Sequence, residues 1–148
     1  MSVTLKKLTN DTFRECISLK VAPEQENYVA SNMYSLAEAQ ADGVSNPRAI
    51  YADDQMVGFI MYDFEPKESR GYITRLMVDQ RFQRRGYGRS AVQQVIERFR
   101  DNPACKEIYT SIHPENEGAS KLYQSLGLIL TGEMEDGEAV LRMKVNQE

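Results

Sequence analysis

The sequence predicts one α/β domain, residues 1–148, in which strands and helices alternate along the chain. Residues 72–78 are rich in β-branched and aromatic side chains, which is typical of a strand. After a loop with two glycines, apolar side chains at 92, 95, 96 and 99 have the i, i+3, i+4, i+7 spacing of an amphipathic helix. Near the C-terminus, Asp136-Gly137 separates two segments rich in apolar residues and predicts a tight hairpin turn.

The N-terminal half predicts three strands and two helices. Asn10 or Asp11 can cap the first helix through a side-chain oxygen, and Gly43 can end the second because glycine tolerates left-handed backbone. In chain order, the predicted elements are a strand at 3–8, a helix to about residue 20, a helix within 24–41 that begins near Tyr28, and strands at 48–52 and 56–64 around a turn at 53–55.

The C-terminal half predicts four strands and two helices, which alternate until the final hairpin. The strands are expected at 72–78, 107–112, 128–132 and 139–145, and the helices at 86–100 and 117–126. Neither half contains an internal repeat, a low-complexity segment or a linker, so a single domain accounts for the whole chain.

Composition narrows the class of protein. The net charge of −4 argues against a nucleic-acid-binding surface and mildly favours a cationic ligand. No apolar stretch approaches the ~20 residues that span a bilayer, and the N-terminus lacks a signal-peptide pattern, so we expect a cytoplasmic protein without a membrane partner. Cys16 and Cys105 have no metal-ligand spacing, which predicts free buried thiols and no metal.

The loop between strand 72–78 and the following helix predicts an anion site. Its two glycines let backbone approach a ligand closely, and the helix start directs unpaired N–H groups and the positive end of the helix dipole at one point. Arginines add fixed positive charge, so a phosphate-bearing cofactor is the expected ligand. The residues expected to contact it are Gln83, Arg84, Arg85, Gly86, Tyr87, Gly88, Arg89 and Ser90.

Two common phosphate loops fit this segment poorly. The nucleotide-hydrolase loop requires Gly-Lys-Ser/Thr, whereas Gly88 is followed by Arg89. The dinucleotide fingerprint G-x-G-x-x-G/A is formally matched, but residues 79–85 separate the strand from the first glycine. Its acidic partner is also misplaced, because Glu107 begins the next predicted strand instead of ending it.

A third loop fits better. Gln83-x-x-Gly86-x-Gly88 resembles the Q/R-x-x-G-x-G/A pyrophosphate loop of the GNAT N-acetyltransferases. Asn116-x-x-Ala119-x-x-Leu122-Tyr123-x-x-x-Gly127 resembles the second signature of that family, with Leu128 where phenylalanine is common. The resemblance covers the whole chain. It implies a mixed, mostly antiparallel sheet of six to seven strands flanked by about four helices, with a splayed parallel strand pair at the cofactor site.

The resemblance also implies acetyl-CoA as cosubstrate and gives several residues a role. The backbone of Met77 and Val78 is expected to contact the acetyl oxygen. Tyr123 is expected to protonate the departing thiolate, since a phenol of pKa about 10 can serve a thiolate whose thiol has a pKa of about 8.5. Asn116 is expected to hydrogen-bond the pantetheine arm, although asparagine there also suits a helix N-cap.

The segment 22–30 resembles the N-terminal part of bacterial spermine/spermidine (diamine) N-acetyltransferases. Glu24, Glu26 and Tyr28 are therefore expected to bind a polyamine through ion pairs and cation–π contact. An acidic helix N-terminus explains the glutamates equally well. For the base that neutralises the amine, Glu24, Glu26 and Asp79 are candidates, whereas His113 is favoured as a loop element.

Other functions remain open at this level. Family members also acetylate other acceptors, such as a protein N-terminus or an antibiotic amine, and the same fold can serve as a non-catalytic acyl-CoA-binding module. The presence of both Tyr123 and the pyrophosphate loop argues against the non-catalytic alternative. At the family level, the resemblance further implies a homodimer.

Overall fold

The architecture is seen in a computed structural model, which describes residues 2–147. Seven strands form one sheet, and four α-helices pack around it. The strands are β1 Val3–Lys6, β2 Asn46–Ala52, β3 Gln55–Glu65, β4 Arg70–Val78, β5 Glu107–Ile112, β6 Ile129–Glu135 and β7 Glu138–Lys144. The helices are α1 Phe13–Ser18, α2 Asn32–Asp42, α3 Tyr87–Arg100 and α4 Glu117–Ser125.

The sheet is mixed, with the strand order β1-β2-β3-β4-β5-β7-β6. Among the described residues, β4 and β5 form the only parallel pair, and the other neighbouring strands are antiparallel. A parallel pair needs a crossover connection, which α3 supplies here. The predicted α/β class, mixed sheet and helix count are therefore confirmed.

The parallel pair separates halfway along its length. Pairing between β4 and β5 runs as far as Ile73 opposite Thr110 and then stops, although β4 continues to Val78. At the same point, Thr74 is an extra residue of β4 that has no partner in β3. Arg75 pairs with Met61 and Ile73 pairs with the next residue, Tyr62. A bulge of this kind bends its strand. The V-shaped gap beyond this point, hereafter the cleft, is the splayed strand pair that the sequence predicted.

Two hydrophobic cores hold the helices on the sheet. The side chains at 92, 95, 96 and 99 of α3 are buried, as the amphipathic spacing predicts, and they pack with sheet residues such as Ile60 and Ile108. A second core, around Cys16, Phe59 and Met77, lies under α1 and α2. Both cysteines are free and buried, and burial raises the pKa of the Cys16 thiol to about 12.

The tight turns agree with the sequence. Gly43 ends α2 with φ at 69°, and Asp136 and Gly137 have φ of 50° and 80°, the positive values that a two-residue hairpin turn requires. Among the described residues, no helix is both long and apolar enough to cross a membrane.

Two helix starts differ from prediction. The second helix begins at Asn32 and not near Tyr28, because the Ser31 side chain accepts from the Tyr34 amide and caps it there. Residues Pro23–Gln25 form only a short 3-10 turn, and Tyr28 lies in a loop. At α1 the N-cap is Thr12 and not Asn10 or Asp11, since a hydrogen-bonded turn from Thr9 to Thr12 precedes the helix.

Candidate active site

A single groove follows the cleft and widens into two connected cavities. One, hereafter the loop end, has a volume of about 590 Å³ and is bounded by residues of the 83–89 loop. The other, hereafter the cleft end, has a volume of about 380 Å³ and is bounded by β4, β5, α4 and the start of β7. The residues that line both ends are Tyr28, Val29, Leu76, Asn116 and Ala119.

The loop end has the geometry of an anion site. Gly86 is the N-cap of α3 with φ at 84°, and Arg84 has a left-handed φ of 64°. The first hydrogen bond of the helix runs from the Ser90 amide to the Gly86 carbonyl. The amides of residues 87–89 therefore have no partner within the helix. All three residues line the loop end together with Arg84, so backbone donors and positive charge converge there.

Three other predicted loop residues have different surroundings. The side-chain amide of Gln83 donates to the Val78 carbonyl at 2.9 Å and exchanges hydrogen bonds with the Gln25 amide at 2.8 and 3.2 Å. Gln83 therefore braces the loop against the end of β4 and the 3-10 turn. Arg85 is exposed and contacts the Arg81 carbonyl, and neither it nor Ser90 borders the groove.

The strand register shows which β4 amides face the cleft. The Asp79 amide donates to the Val57 carbonyl at 2.8 Å, so Val78 and Gly58 form a non-hydrogen-bonded pair. The N–H and C=O of Val78 therefore point away from β3, and its carbonyl indeed accepts from Gln83. Orientation alternates along the strand, so the Leu76 amide also faces the cleft.

By the same alternation, the amide of Met77 faces β3 and donates to the Phe59 carbonyl in the ladder. Met77 still borders the loop end. Sequence reasoning did not single out Leu76. The register between β3 and β4 identifies it, because that register determines which β4 amides are not used in the ladder.

Tyr123 projects from α4 into the cleft end and is 3% exposed. Burial raises the pKa of its phenol to about 12, and the neighbouring Thr110 hydroxyl opposes this only in part. The Thr110 hydroxyl donates in turn to the Ile73 carbonyl at 2.8 Å, at the last paired position of β4 and β5. The phenol is therefore protonated at neutral pH and can act as a hydrogen-bond donor inside the cleft.

Asn116 lies where the two ends of the groove meet. Its Oδ1 accepts from the Ala119 amide at 3.2 Å and caps α4. The side-chain NH₂ group has no protein acceptor among the described residues. The capping role and a contact through the NH₂ group are therefore compatible.

The loop of residues 26–31 crosses the groove. The Tyr28 ring packs on the His113 ring with centroids 5.0 Å apart, and its hydroxyl contacts the Glu115 carbonyl. Glu24 borders the loop end and does not border the cleft end. Glu26 is exposed and borders neither cavity. The structure thus brings Tyr28 into the groove and places the two glutamates away from the cleft end.

The candidate bases Asp79 and His113 are engaged in local structure. Asp79 is buried and accepts from the Lys20 amide and from the amide and Nε of Arg81. Burial by itself would raise the pKa of Asp79, but these hydrogen bonds outweigh it and hold the pKa below its usual value. The Nδ1 atom of His113 accepts from the Glu115 amide, as expected of a loop element.

Two charged residues at the cleft end were absent from the sequence analysis. Glu138 accepts a hydrogen bond from the Ser111 hydroxyl at 2.9 Å. Arg75 is turned toward α2, where it pairs with Glu38 at 3.1 Å. Both residues reach the cleft through strand order and register, which no local sequence pattern records.

Within residues 2–147, no group of three or more His, Cys, Asp or Glu side chains is arranged to hold a metal ion. The groove offers backbone amides, a phenol and a few charged side chains. Such a set can bind a phosphate-bearing ligand at one end and polarise or protonate a reacting group at the other.

Residues 4–128 match the family model described as "Acetyltransferase (GNAT) family". The chain belongs to the GNAT acetyltransferase family. The spermine/spermidine N(1)-acetyltransferase of Bacillus subtilis (strain 168) is 31% identical over 148 residues, which covers 95% of this chain and 97% of that protein. The family resemblance seen in the two signatures is thereby confirmed.

Solved structures share the fold at low identity. A spermidine N-acetyltransferase from Vibrio cholerae, in complex with CoA and spermine, superposes with a TM-score of 0.75 at 16% identity, over 97% of this chain and 94% of that chain. The aminoglycoside acetyltransferase AAC(6')-Ib, in complex with coenzyme A, gives 0.81 at 16% identity, over 97% and 95%. Because the named acceptors of these GNAT proteins differ, the fold alone does not identify the acceptor.

Proposed function

We propose that this GNAT protein transfers the acetyl group of acetyl-CoA to a primary amine, and that the amine is a linear polyamine such as spermidine or spermine. The observation that carries the proposal is the alignment of three donor groups along one groove. They are the first-turn amides of α3, the outward amides of Leu76 and Val78, and the phenol of Tyr123.

The residues present fit the cosubstrate. At the loop end, the amides of residues 87–89 with Arg84 and Arg89 would hold the pyrophosphate. Asn116 would donate its NH₂ group to the amide-rich pantetheine arm. When bound, acetyl-CoA supplies a thioester, and its acetyl group is the one transferred.

The chain's own groups then act on either side of the cleft. The amides of Leu76 and Val78, fixed by the ladder with β3, would donate to the acetyl oxygen and need no reorganisation to do so. On the opposite side, Tyr123 would donate its hydroxyl proton toward the departing sulfur. Burial keeps that proton in place, since the phenol pKa is raised to about 12.

The polyamine acceptor is supported by the named Bacillus relative and by the groups near the cleft. Tyr28 offers a ring face to an ammonium group where the two ends of the groove meet. Glu24 borders the loop end, and the binding roles of Glu24 and Glu26 stay predictions. The overall negative charge of −4 also attracts a polycation.

Amine specificity tests the proposal. Free thiol release from acetyl-CoA should be followed with spermidine and with butylamine, a simple monoamine, over a range of concentrations. We expect kcat/KM to be clearly higher for spermidine, and the KM for spermidine to rise with ionic strength because exposed ion pairs are screened. Equal kcat/KM for the two amines would reject the polyamine acceptor and leave the acetyltransferase proposal intact. No thiol release with any amine would reject both.

A further inference from the structure

We infer that Glu138 determines acceptor specificity by binding a second ammonium group of the amine, away from the nitrogen that is acetylated. This inference rests on the proposed function and assigns a binding role to a residue outside both sequence signatures. Glu138 is the first residue of β7 and follows the hairpin turn directly.

Glu138 is the only carboxylate among the described residues that line the cleft end. Its side chain is half-buried, and Oε1 accepts from the Ser111 hydroxyl at 2.9 Å. That bond engages one carboxylate oxygen and leaves Oε2 without a protein partner in the described residues. A half-buried carboxylate with a free oxygen in a cavity is suited to an ammonium ligand.

The one cation lining the cleft end, within the described chain, does not neutralise Glu138. Arg75 donates through Nη2 to Glu38 at 3.1 Å and through Nη1 to the Thr74 carbonyl at 2.9 Å. Its guanidinium is therefore held toward α2. No ion pair joins it to Glu138 among the described residues. The negative charge of Glu138 remains available to a ligand.

Strand spacing separates Glu138 from β4. The acetyl oxygen would be held by β4, whereas Glu138 belongs to β7, which is two strands away in the order β4-β5-β7. Two strand spacings amount to about 10 Å, and the splay adds to this distance. Because Glu138 lies on the far side of the cleft from β4, its carboxylate is placed to meet a second nitrogen at the other end of an alkyl spacer. A monoamine has no group to place there.

The test compares Glu138→Gln with Glu135→Gln. Glu135 is the cross-strand neighbour of Glu138 in the same hairpin, but it is exposed and does not line the groove. Both variants remove one negative charge from the hairpin. We expect Glu138→Gln to raise the KM for spermidine about five- to tenfold and to leave the KM for butylamine within about twofold. Glu135→Gln should change neither value by more than about twofold.

An unchanged spermidine KM in Glu138→Gln would overturn the inference. So would a rise in KM that is equally large for butylamine, because Glu138 would then act on the reacting nitrogen or on the fold. Far-UV circular dichroism and Tm should match the wild type in both variants. If Glu138→Gln does not fold, Ser111→Ala tests the same site, because it removes the hydroxyl partner of the carboxylate. Ser111→Ala should raise the spermidine KM by a smaller factor.

Calorimetric binding of spermidine to the CoA-loaded protein separates this inference from the proposed function, because it needs no turnover. A five- to tenfold weaker Kd in Glu138→Gln supports the site even if a different reaction is catalysed. An equal Kd in wild type and Glu138→Gln overturns the inference, whether or not the wild type acetylates amines.

Discussion

The two ends of the groove are built in different ways. At the loop end, the proposed phosphate donors come from one segment of the chain, residues 83–89, and most of them are backbone amides at the start of α3. The cleft end is assembled from β4, β5, α4 and β7, and its functional groups are side chains such as Tyr123 and Glu138. If the proposed function is correct, binding at the loop end depends mainly on backbone conformation, whereas acceptor specificity at the cleft end depends on side-chain identity.

This difference determines which substitutions matter at each end. At the loop end, a glycine replacement should do more damage than a side-chain truncation, because most of the proposed ligand contacts are made by the main chain. At the cleft end, isosteric side-chain changes should be the damaging ones.

The largest expected effect is at the cleft end. Tyr123→Phe removes only the hydroxyl, so kcat should fall about 100-fold or more while the Kd for CoA stays near the wild-type value. Steady-state kinetics and calorimetry give the two quantities. A loss of less than about threefold in kcat, with chemistry shown to be rate-limiting, would indicate that Tyr123 only packs in the core and is not the general acid.

The connection between the ends is tested at Gly58. A Cβ there would lie 2.4 Å from the Met77 carbonyl oxygen, so Gly58→Ala must displace β4 and with it the outward amides of Leu76 and Val78. We expect kcat to fall about 20-fold, since small displacements of positioning groups are costly. Val57→Ala is the matched control: it loses stability through a core cavity on the same strand without pushing on β4. Equal kcat losses in both variants would show that stability alone is responsible.

At the loop end, Gly86→Ala should raise the Kd for CoA about tenfold, because alanine disfavours the φ of 84° that orients the α3 amides. Gly43→Ala is matched to it: that glycine also has positive φ, 69°, and open space around a Cβ, but lies outside the groove. Both variants should lose similar stability. Normal CoA binding by a folded Gly86→Ala protein would contradict the assignment of the loop.

The same contrast explains how much of the molecule could be predicted. The glycine loop before α3, the amphipathic pattern of α3 and the turn at Asp136-Gly137 are each encoded by contiguous residues, so the sequence alone was sufficient to predict these local structures. The amide of Leu76 faces the cleft because of its register with β3, which is set by pairing between the two strands. Glu138 reaches the site because β7 inserts next to β5. The start of α2 was misplaced because the acidic run near Tyr28 has helical composition, whereas Ser31 supplies the actual cap.

The smallest effect concerns stability at the junction of β4 and the loop. The pKa of Asp79 is held below its usual value, so its contribution to stability is present above the unfolded pKa of about 3.9 and is lost as pH falls through the folded value. Asp79→Asn should therefore lower the free energy of unfolding at pH 7 by about 1–3 kcal/mol, since it weakens charge-assisted hydrogen bonds of a buried group.

Urea unfolding at several pH values checks this sign. The difference between wild type and Asp79→Asn should shrink as pH falls below about 4. Asp42→Asn is the exposed counterpart, because the pKa of Asp42 is also lowered, mainly by hydrogen bonds from Ser45, and its effect should be smaller. A difference for Asp79 that is independent of pH would contradict the electrostatic explanation.

The division of the groove into two ends is tested most directly by backbone amide chemical shifts during separate titrations with CoA and spermidine. CoA should give its largest shifts at residues 76, 78 and 87–89, whose amides face the groove or begin α3. Spermidine, added to the CoA-loaded protein, should instead shift Ser111 and Glu138. CoA shifts concentrated at the β6–β7 hairpin, or spermidine shifts concentrated at residues 87–89, would contradict the account.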